Sequence, residues 1–222
     1  MRKWTVTIII GILILIISMG IYLCFYYNIF EGKYYKDEDF GITKVLSDSD
    51  YDNDGIDDYL DMLLGARSYV ETKPKYKSEY YSTGYPPEGV GVCTDVVGAA
   101  FKSAGYDIQE LVNQDILNNR DRYPLITTVD KNIDFRRVRN LKIFLDNNAT
   151  ILTNDLNDYK EWQGGDIVVF DKHIAIVSDK RNKNGIPYII HHGGQIRYEE
   201  DGIKRFSVVG HYRYPRREEA HA

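Results

Sequence analysis

The chain has 222 residues, a formal net charge of −5 at neutral pH and 19 tyrosines. This length allows one medium-sized domain together with an anchor, and a second full domain is not expected. The acidic balance argues against a nucleic-acid-binding protein that relies on a basic surface, and the aromatic content argues against a disordered chain.

The first predicted element is an uncharged apolar run from Trp4 to Phe30, with Arg2 and Lys3 before it and Glu31 after it. A run of twenty or more such residues is long enough to cross a bilayer as a helix. It is longer than a typical signal core and has no clean small-residue cleavage site, so an uncleaved anchor is favoured over a secretory signal. The basic residues ahead of it predict a single-pass protein of the bacterial plasma membrane, with the following domain on the extracytoplasmic side.

A polar linker over residues 31–47 leads into an acidic segment, residues 48–61. Counted from Asp50, this segment has carboxylates at positions one, three, five, nine and twelve and a glycine at position six, which is the register of a calcium-binding loop. It resembles the loops of thrombospondin-type and EF-hand-like repeats, although Asp61 replaces the usual bidentate glutamate. The predicted Ca²⁺ ligands are Asp50, Asp52, Asp54, Asp58 and Asp61. The alternative is a solvated acidic linker that caps the following helix.

Apolar side chains then recur at helical spacing in four stretches before residue 147. The predicted helices cover residues 57–70, 93–104, 107–118 and 138–146. The proline- and glycine-rich segment 73–91 is predicted to be a loop, whose tyrosines line a cleft or pack beneath it. Arg136, Arg137 and Arg139 are expected to be solvated or to pair with carboxylates, with substrate contact as the alternative.

Cys93 lies at the first turn of the second predicted helix. A helix N-terminus carries partial positive charge, so a thiol there is expected to favour the reactive thiolate. Cys24 lies in the apolar run, which leaves Cys93 without an intramolecular disulfide partner in an extracytoplasmic domain. Cys93 is therefore a candidate nucleophile, and a buried small hydrophobic side chain is the alternative.

The last third of the chain changes to strand-like patterns, with strands predicted over residues 166–170, 173–178, 188–191 and 208–212. Helices followed by an antiparallel meander are typical of an α+β domain. Asp171-Lys172 is short enough to be a hairpin tip, which places His173 at the rim of the sheet as a base for Cys93. His191 on the next strand is expected to orient His173, and His192 to point to the opposite face.

Six blocks of the sequence carry a resemblance to a known family. They are Gly91–Val96, Asn132–Arg137, Gly165–Val168, His173–Asp179, Ile189–His192 and Gly210–Tyr214. Together they resemble the DUF1287 family, which is similar to the NlpC/P60 cysteine peptidases of the papain-like group. The resemblance implies a papain-like α+β domain over residues 57–215, followed by a tail over residues 216–222.

The same resemblance implies Cys93 as nucleophile, His173 as base and His191 at the third position. Tyr85 and Asp95, which lie close to Cys93 in the sequence, are the expected substrate contacts. NlpC/P60 enzymes cleave amide bonds in cell-wall peptides, so the expected protein is a membrane-anchored hydrolase of peptidoglycan peptides that needs no catalytic cofactor. The insertion over residues 107–148 departs from a minimal domain of that group and is expected to cover or reshape the cleft. The alternatives are acyl or amide transfer by the same dyad, and a non-catalytic calcium-dependent wall-binding or scaffold module.

Overall fold

The computed structural model describes residues 2–26 and 32–216. The chain divides into two units: one is built on helix α1 (Arg2–Tyr26), and the other comprises Tyr34–Gly194 and the chain from Tyr198 onward. Parts of the predicted anchor, linker and tail, residues 27–31 and 217–222, lie outside the described residues.

Helix α1 confirms the predicted apolar helix. Within the part of the chain that the structure describes, Trp4–Tyr26 is the one helix long and apolar enough to span a bilayer, and its most apolar stretch is fully exposed. An N-terminal signal sequence has the same properties. The helix is therefore suited to anchor the protein in a membrane or to direct its export.

The four other predicted helices are confirmed, with ends that differ from the prediction by one or two residues. The helices of the main unit are α2 (Asp58–Glu71), α3 (Cys93–Ser103), α4 (Ile108–Asn118), α5 (Lys131–Asp134) and α6 (Val138–Asn148). Side-chain caps begin three of them, because the Asp57, Asp107 and Asp130 carboxylates accept backbone N–H groups of the first turn. The short α5 lies outside the four predicted helices.

A six-stranded sheet follows the helices. Its strands are β3 (Thr150–Ile151), β4 (Ile167–Phe170), β5 (Ile174–Arg181), β6 (Pro187–Ile190), β7 (Glu199–Glu200) and β8 (Val208–Arg213). The spatial order is β3-β8-β4-β5-β6-β7, and every neighbouring pair is antiparallel. The predicted meander is correct from β4 to β6, and the sequence does not predict the short β7. The predicted meander is wrong for β8, which returns to pair with β4. This return gives the fully buried β4 a hydrogen-bonded neighbour on both sides.

The predicted loop 73–91 is closed by a small parallel pair, β1 (Lys75–Tyr76) and β2 (Val90–Gly91). Two-residue strands are too short for any periodicity in the sequence to predict them. Their pairing holds both ends of the loop together directly before Cys93.

The main core lies between the helices and one face of the sheet. Along β4, Ile167 and Val169 pack on the helices, while Val168 and Phe170 join a second apolar cluster on the opposite face. Helix α2 packs closely on α3 because Gly65 has no side chain: a Cβ there would lie 2.3 Å from the Ser103 Cβ. Helix α3 in turn packs on β5, which positions its first residue.

Candidate active site

Cys93 begins helix α3 beside the start of strand β5. The Asp95 carboxylate accepts the Val92 N–H at 2.8 Å and so caps this end of the helix. Backbone N–H groups of Ile174 and Thr94 hydrogen-bond to the Cys93 sulfur. The thiol therefore lies against the residue that directly follows His173.

His173 occupies the tight turn between β4 and β5, as the sequence predicts. The Phe170 N–H donates to the His173 carbonyl at 2.8 Å and closes the turn. The imidazole stacks near Phe206, with ring centroids 5.2 Å apart, and near Phe170 at 6.0 Å. These aromatic contacts restrict the motion of the imidazole ring in the free protein.

A hydrogen-bonded chain runs from His173 into the protein. His173 Nε2 lies 2.7 Å from His191 Nδ1, and His191 Nε2 lies 3.0 Å from Glu200 Oε1. Glu200 in turn forms an ion pair with Arg205. His191 and Glu200 are buried, so the structure brings the two predicted histidines together and adds a carboxylate.

The order of donors and acceptors in this chain follows from the carboxylate. Glu200, ionised beside Arg205, can only accept, so His191 must carry its proton on Nε2. The His191 Nδ1 lone pair then accepts from His173 Nε2–H. His173 is left with an unprotonated Nδ1, which is the state that a general base requires.

No hydrogen bond joins the Cys93 sulfur to the His173 ring among the residues that the structure describes, and the sulfur instead meets the Ile174 N–H. The Cys93 thiol thus lies next to the residue that follows His173, but the thiol and the imidazole are not hydrogen-bonded to each other. Their catalytic roles stay predictions.

Burial determines the charge state of both groups. It raises the pKa of the Cys93 thiol to about 11, and the Asp95 charge adds to this effect while backbone N–H groups oppose it. Burial, with the neighbouring His191 and His192, lowers the pKa of His173 to about 3. The expected thiolate is therefore wrong for the free protein, because desolvation outweighs the helix N-terminus. At neutral pH the thiol and the imidazole are both uncharged.

This charge state predicts how Cys93 reacts with iodoacetamide. In a Cys24→Ala background, the alkylation rate of the folded protein should rise about tenfold per pH unit from pH 7 to pH 10, because only the thiolate reacts. The same protein unfolded in urea should level off above a pH of about 8.5 to 9. A plateau below about pH 8 in the folded protein would contradict the raised pKa.

Asp95 forms a buried ion pair with Arg136 and does not face a substrate. Arg136 Nε and Nη2 donate to the two Asp95 oxygens at 3.1 and 2.9 Å, and both side chains are almost fully buried. Arg136 Nη1 also donates to the Glu79 carbonyl at 2.8 Å, and the guanidinium lies over the Tyr81 ring. The structure corrects the substrate-contact prediction for Asp95 and agrees with carboxylate pairing for Arg136.

Tyr85 is 39% exposed and lies away from the Cys93 thiol. Its ring packs on Phe135, with centroids 5.0 Å apart, and approaches Gly98, about one and a half turns along α3 from Cys93. Burial of the hydroxyl end, near Asp107, raises the pKa of Tyr85 to about 12. Its predicted contact with substrate therefore requires a ligand that extends along α3.

Within the described residues, neither ring nitrogen of His192 forms a side-chain hydrogen bond of the kind that His191 forms, although the residue is only 1% exposed and its ring lies near the Lys75 backbone. Its ring meets Tyr76 and Tyr198 edge-on. Burial lowers the pKa of His192, so the ring is neutral at pH 7. Strand alternation correctly predicts that His191, and not His192, faces His173.

Two of the sequence blocks meet in a structural cluster away from this site. Asp166 accepts from His211 Nε2 at 2.9 Å and from Arg213 Nε at 2.7 Å, and His211 stacks on Trp162. This buried network ties β8 to the start of β4. The residue types in the blocks Gly165–Val168 and Gly210–Tyr214 are therefore explained by this structural network.

The acidic segment keeps part of its predicted geometry. Carboxylate oxygens of Asp50, Asp52 and Asp54 lie within 4.8 Å of one another. Asp58 does not join them, because its oxygens accept from the Tyr51 N–H at 2.9 Å and the Tyr106 hydroxyl at 2.6 Å. Asp61 also lies outside this close group, so Asp58 and Asp61 as metal ligands stay predictions.

Sequence reasoning missed Glu200, the acid that orders the histidine pair. Glu199, Glu200 and Asp201 form an acidic run, and only the pairing of β6 with β7 selects one of them. Glu199 faces Arg67 and Lys180 instead. Strand alternation would separate the two glutamates, but a two-residue strand gives too little pattern to apply it.

These features define a class of protein: an α+β domain with a helix-start cysteine beside a rim histidine that a buried His–Glu pair orients. The chain belongs to the DUF1287 family, described as a domain of unknown function, which it matches over residues 63–214. It is also 36% identical over 162 residues to the uncharacterized protein YijF of Escherichia coli (strain K12), covering 68% of this chain and 78% of YijF. No solved structure matches the chain. The family predicted from the sequence blocks is confirmed.

Proposed function

We propose that this protein is a cysteine hydrolase of amide bonds, with Cys93 as nucleophile and His173 as base. The observation that carries the proposal is the hydrogen-bonded chain from Glu200 through His191 to His173, which leaves Nδ1 of His173 unprotonated. His173 directly precedes Ile174, and the Ile174 N–H meets the Cys93 sulfur. A purely structural role for these residues would not require this order of hydrogen-bond donors and acceptors.

The reaction would begin from a neutral pair. His173 Nδ1 takes the thiol proton as the Cys93 sulfur bonds to the substrate carbonyl carbon, and backbone N–H groups at the start of α3 stabilise the oxyanion. The C–N bond then breaks, and the imidazolium returns the proton to the leaving amine. Water, deprotonated by His173, hydrolyses the thioester and releases the acid and the free thiol.

The thiol pKa of about 11 bears on the timing of this proton transfer. A free thiolate would be rare at neutral pH, so deprotonation would accompany substrate binding and attack. A substrate that positions the His173 ring against the sulfur supplies the contact that the free protein lacks, as catalytic hydrogen bonds often tighten only in the complex.

The proposed fold is papain-like and the proposed substrates are peptidoglycan peptides. A cysteine at the start of a helix that packs on an antiparallel sheet, with the histidine on that sheet, supports the comparison with NlpC/P60 enzymes. The apolar helix α1 supports attachment to the plasma membrane with this domain outside, where an unpaired cysteine is unusual and a cell-wall substrate is accessible.

The test is digestion of defined cell-wall peptides by the full-length protein in detergent, followed by mass analysis of the fragments. Release of a fragment with a new carboxylate supports hydrolysis. An added amine that appears in the product in place of water would indicate transfer by the same residues. Intact peptides under all conditions would overturn the proposal.

His191 acts in this proposal as a positioning residue, so its replacement should affect the rate and not the affinity. His191→Leu removes the acceptor for His173 Nε2 and is expected to lower kcat by about 10²-fold with little change in KM, because the base is misplaced. His191→Asn retains a side-chain acceptor and should recover part of the rate. His192→Leu, at the adjacent buried histidine, is the matched control and should leave kcat close to that of wild type.

A non-catalytic wall-binding or scaffold module is the second candidate, and the raised thiol pKa favours it. In that case binding of wall fragments should survive replacement of Cys93, and no peptide should be cleaved. The digestion and a sedimentation assay with insoluble peptidoglycan separate the two candidates.

A further inference from the structure

We propose that the loop over residues 50–61 binds one Ca²⁺ through Asp50, Asp52, Asp54 and Asp61. The inference concerns the stability of the domain and does not depend on the proposed function. It rests on two separate observations: a cluster of three carboxylates, and a buried carboxylate oxygen of Asp61 that has no hydrogen-bond partner among the described residues.

The cluster is formed by the first half of the loop. Oxygens of Asp50, Asp52 and Asp54 lie within 4.8 Å of one another, which brings them close enough to share one cation with ligand distances of about 2.3–2.6 Å. The chain turns back at Gly55, whose φ of +93° is accessible to glycine without strain. All three carboxylates are exposed, so the cluster alone would be satisfied by water.

Asp61 provides the second observation. It is only 3% exposed, and its Oδ2 is buried with no hydrogen-bond partner in the part of the chain that the structure describes. Its oxygens are not part of the 4.8 Å group formed by the other three aspartates. It lies in the first turn of α2, where side chains point back toward the helix N-terminus and hence toward the loop. The charges that act on it are those of Asp54, Asp52 and Asp50 together with Asp58.

A buried, unpaired carboxylate among like charges is unfavourable without a compensating cation. The arrangement matches positions one, three, five and twelve of a calcium loop, with the exiting helix beginning just before position twelve. A hard cation with flexible oxygen coordination fits this set, and the remaining coordination places suit the position-seven carbonyl and water. The shorter aspartate at position twelve predicts weak binding, in the range of about 10⁻⁴–10⁻³ M found for extracellular modules.

The loop is fastened to the turn between α3 and α4. Tyr51 stacks on Tyr106 with centroids 4.3 Å apart, and a Cβ at Gly105 would lie 2.7 Å from the Asp52 Cβ. A bound ion would therefore join the start of α2 to the far end of the helix that begins at Cys93. The loop over residues 50–61 lies before residue 63, where the match to the family begins.

The experiment is a calcium titration of the full-length protein in detergent, by calorimetry and by thermal unfolding, with EDTA and MgCl₂ as references. We expect one Ca²⁺ per chain and a thermal midpoint higher by about 3–10 °C in 10 mM CaCl₂ than in EDTA. Magnesium should give a smaller shift, because Mg²⁺ requires stricter geometry and retains its waters. No heat of binding and equal midpoints would overturn the proposal.

Asp61→Asn separates binding from folding. In EDTA this variant should unfold at a higher temperature than wild type, because a repelled carboxylate has been removed, and its calcium shift should be lost. Asp121→Asn, which removes an exposed charge elsewhere, should respond to calcium like wild type. An Asp61→Asn protein that keeps the full calcium shift would exclude Asp61 as a ligand and overturn the site.

Discussion

Replacing Cys93 by alanine is expected to lower the rate of wall-peptide cleavage by about 10⁴-fold or more, because the proposed reaction has no other nucleophile. The fold should persist, since alanine is the strongest helix former and the α3 cap uses Asp95 and the Val92 backbone. Rates are measured with defined peptides and mass analysis, and folding by the thermal midpoint of the full-length protein. Cleavage at an undiminished rate would show that another group performs the attack.

Cys93→Ser is the matched variant for this prediction. It keeps a side chain of similar size at the start of α3 but replaces the thiol by a hydroxyl, which is far less acidic and a weaker nucleophile than a thiol at neutral pH. Both variants should therefore be inactive if the sulfur is the nucleophile. If the serine protein cleaved peptides and the alanine protein did not, a hydroxyl at this position would be able to replace the thiol, and the reaction would not require the sulfur.

Replacing Arg136 by methionine is expected to reduce the free energy of unfolding by about 3–5 kcal/mol, because Asp95 would remain buried without its partner. The loss would also release the loop that Arg136 holds through the Glu79 carbonyl, close to the start of α3. Urea unfolding of the full-length protein measures the change. Since domains are stable by about 5–15 kcal/mol, a large fraction of the stability depends on this pair.

The double variant Asp95→Asn/Arg136→Met tests the reason for that loss. It removes both charges and keeps a side-chain oxygen that accepts the Val92 N–H, so it should recover most of the stability. Arg139→Met, on the exposed face of α6, is the control and should change stability by less than about 0.5 kcal/mol. If Arg136→Met is no more destabilising than the control, the buried pair does not hold the site.

The sequence predicted the local elements well because each depends on neighbouring residues. Helical spacing placed α2, α3, α4 and α6 within one or two residues of their ends, and apolar runs bounded by Gly, Asp and Asn turns placed β4, β5, β6 and β8. The tight turn before His173 and the choice of His191 over His192 also follow from local geometry, since side chains alternate along a strand. These predictions needed no knowledge of long-range contacts.

Charge states and long-range partners were not predictable in this way. The sequence predicted a thiolate at Cys93 from the helix N-terminus, but the burial that raises its pKa arises only when α3 packs on β5. Asp95 was predicted to contact substrate, and its partner Arg136 lies 41 positions away. The pairing of β8 with β4 likewise leaves no pattern in the neighbouring sequence that would predict it.

The sequence by itself thus determined the family and the α+β order of elements, and it selected Cys93, His173 and His191 as the candidate site residues. Only the tertiary structure decided that Glu200 orders the histidine pair, that Asp95 is held by Arg136, and that the Asp58 carboxylate hydrogen-bonds to Tyr51 and Tyr106. The physical reason is the same in each case. Periodicity is a property of the local backbone, whereas burial and pairing are properties of the assembled chain.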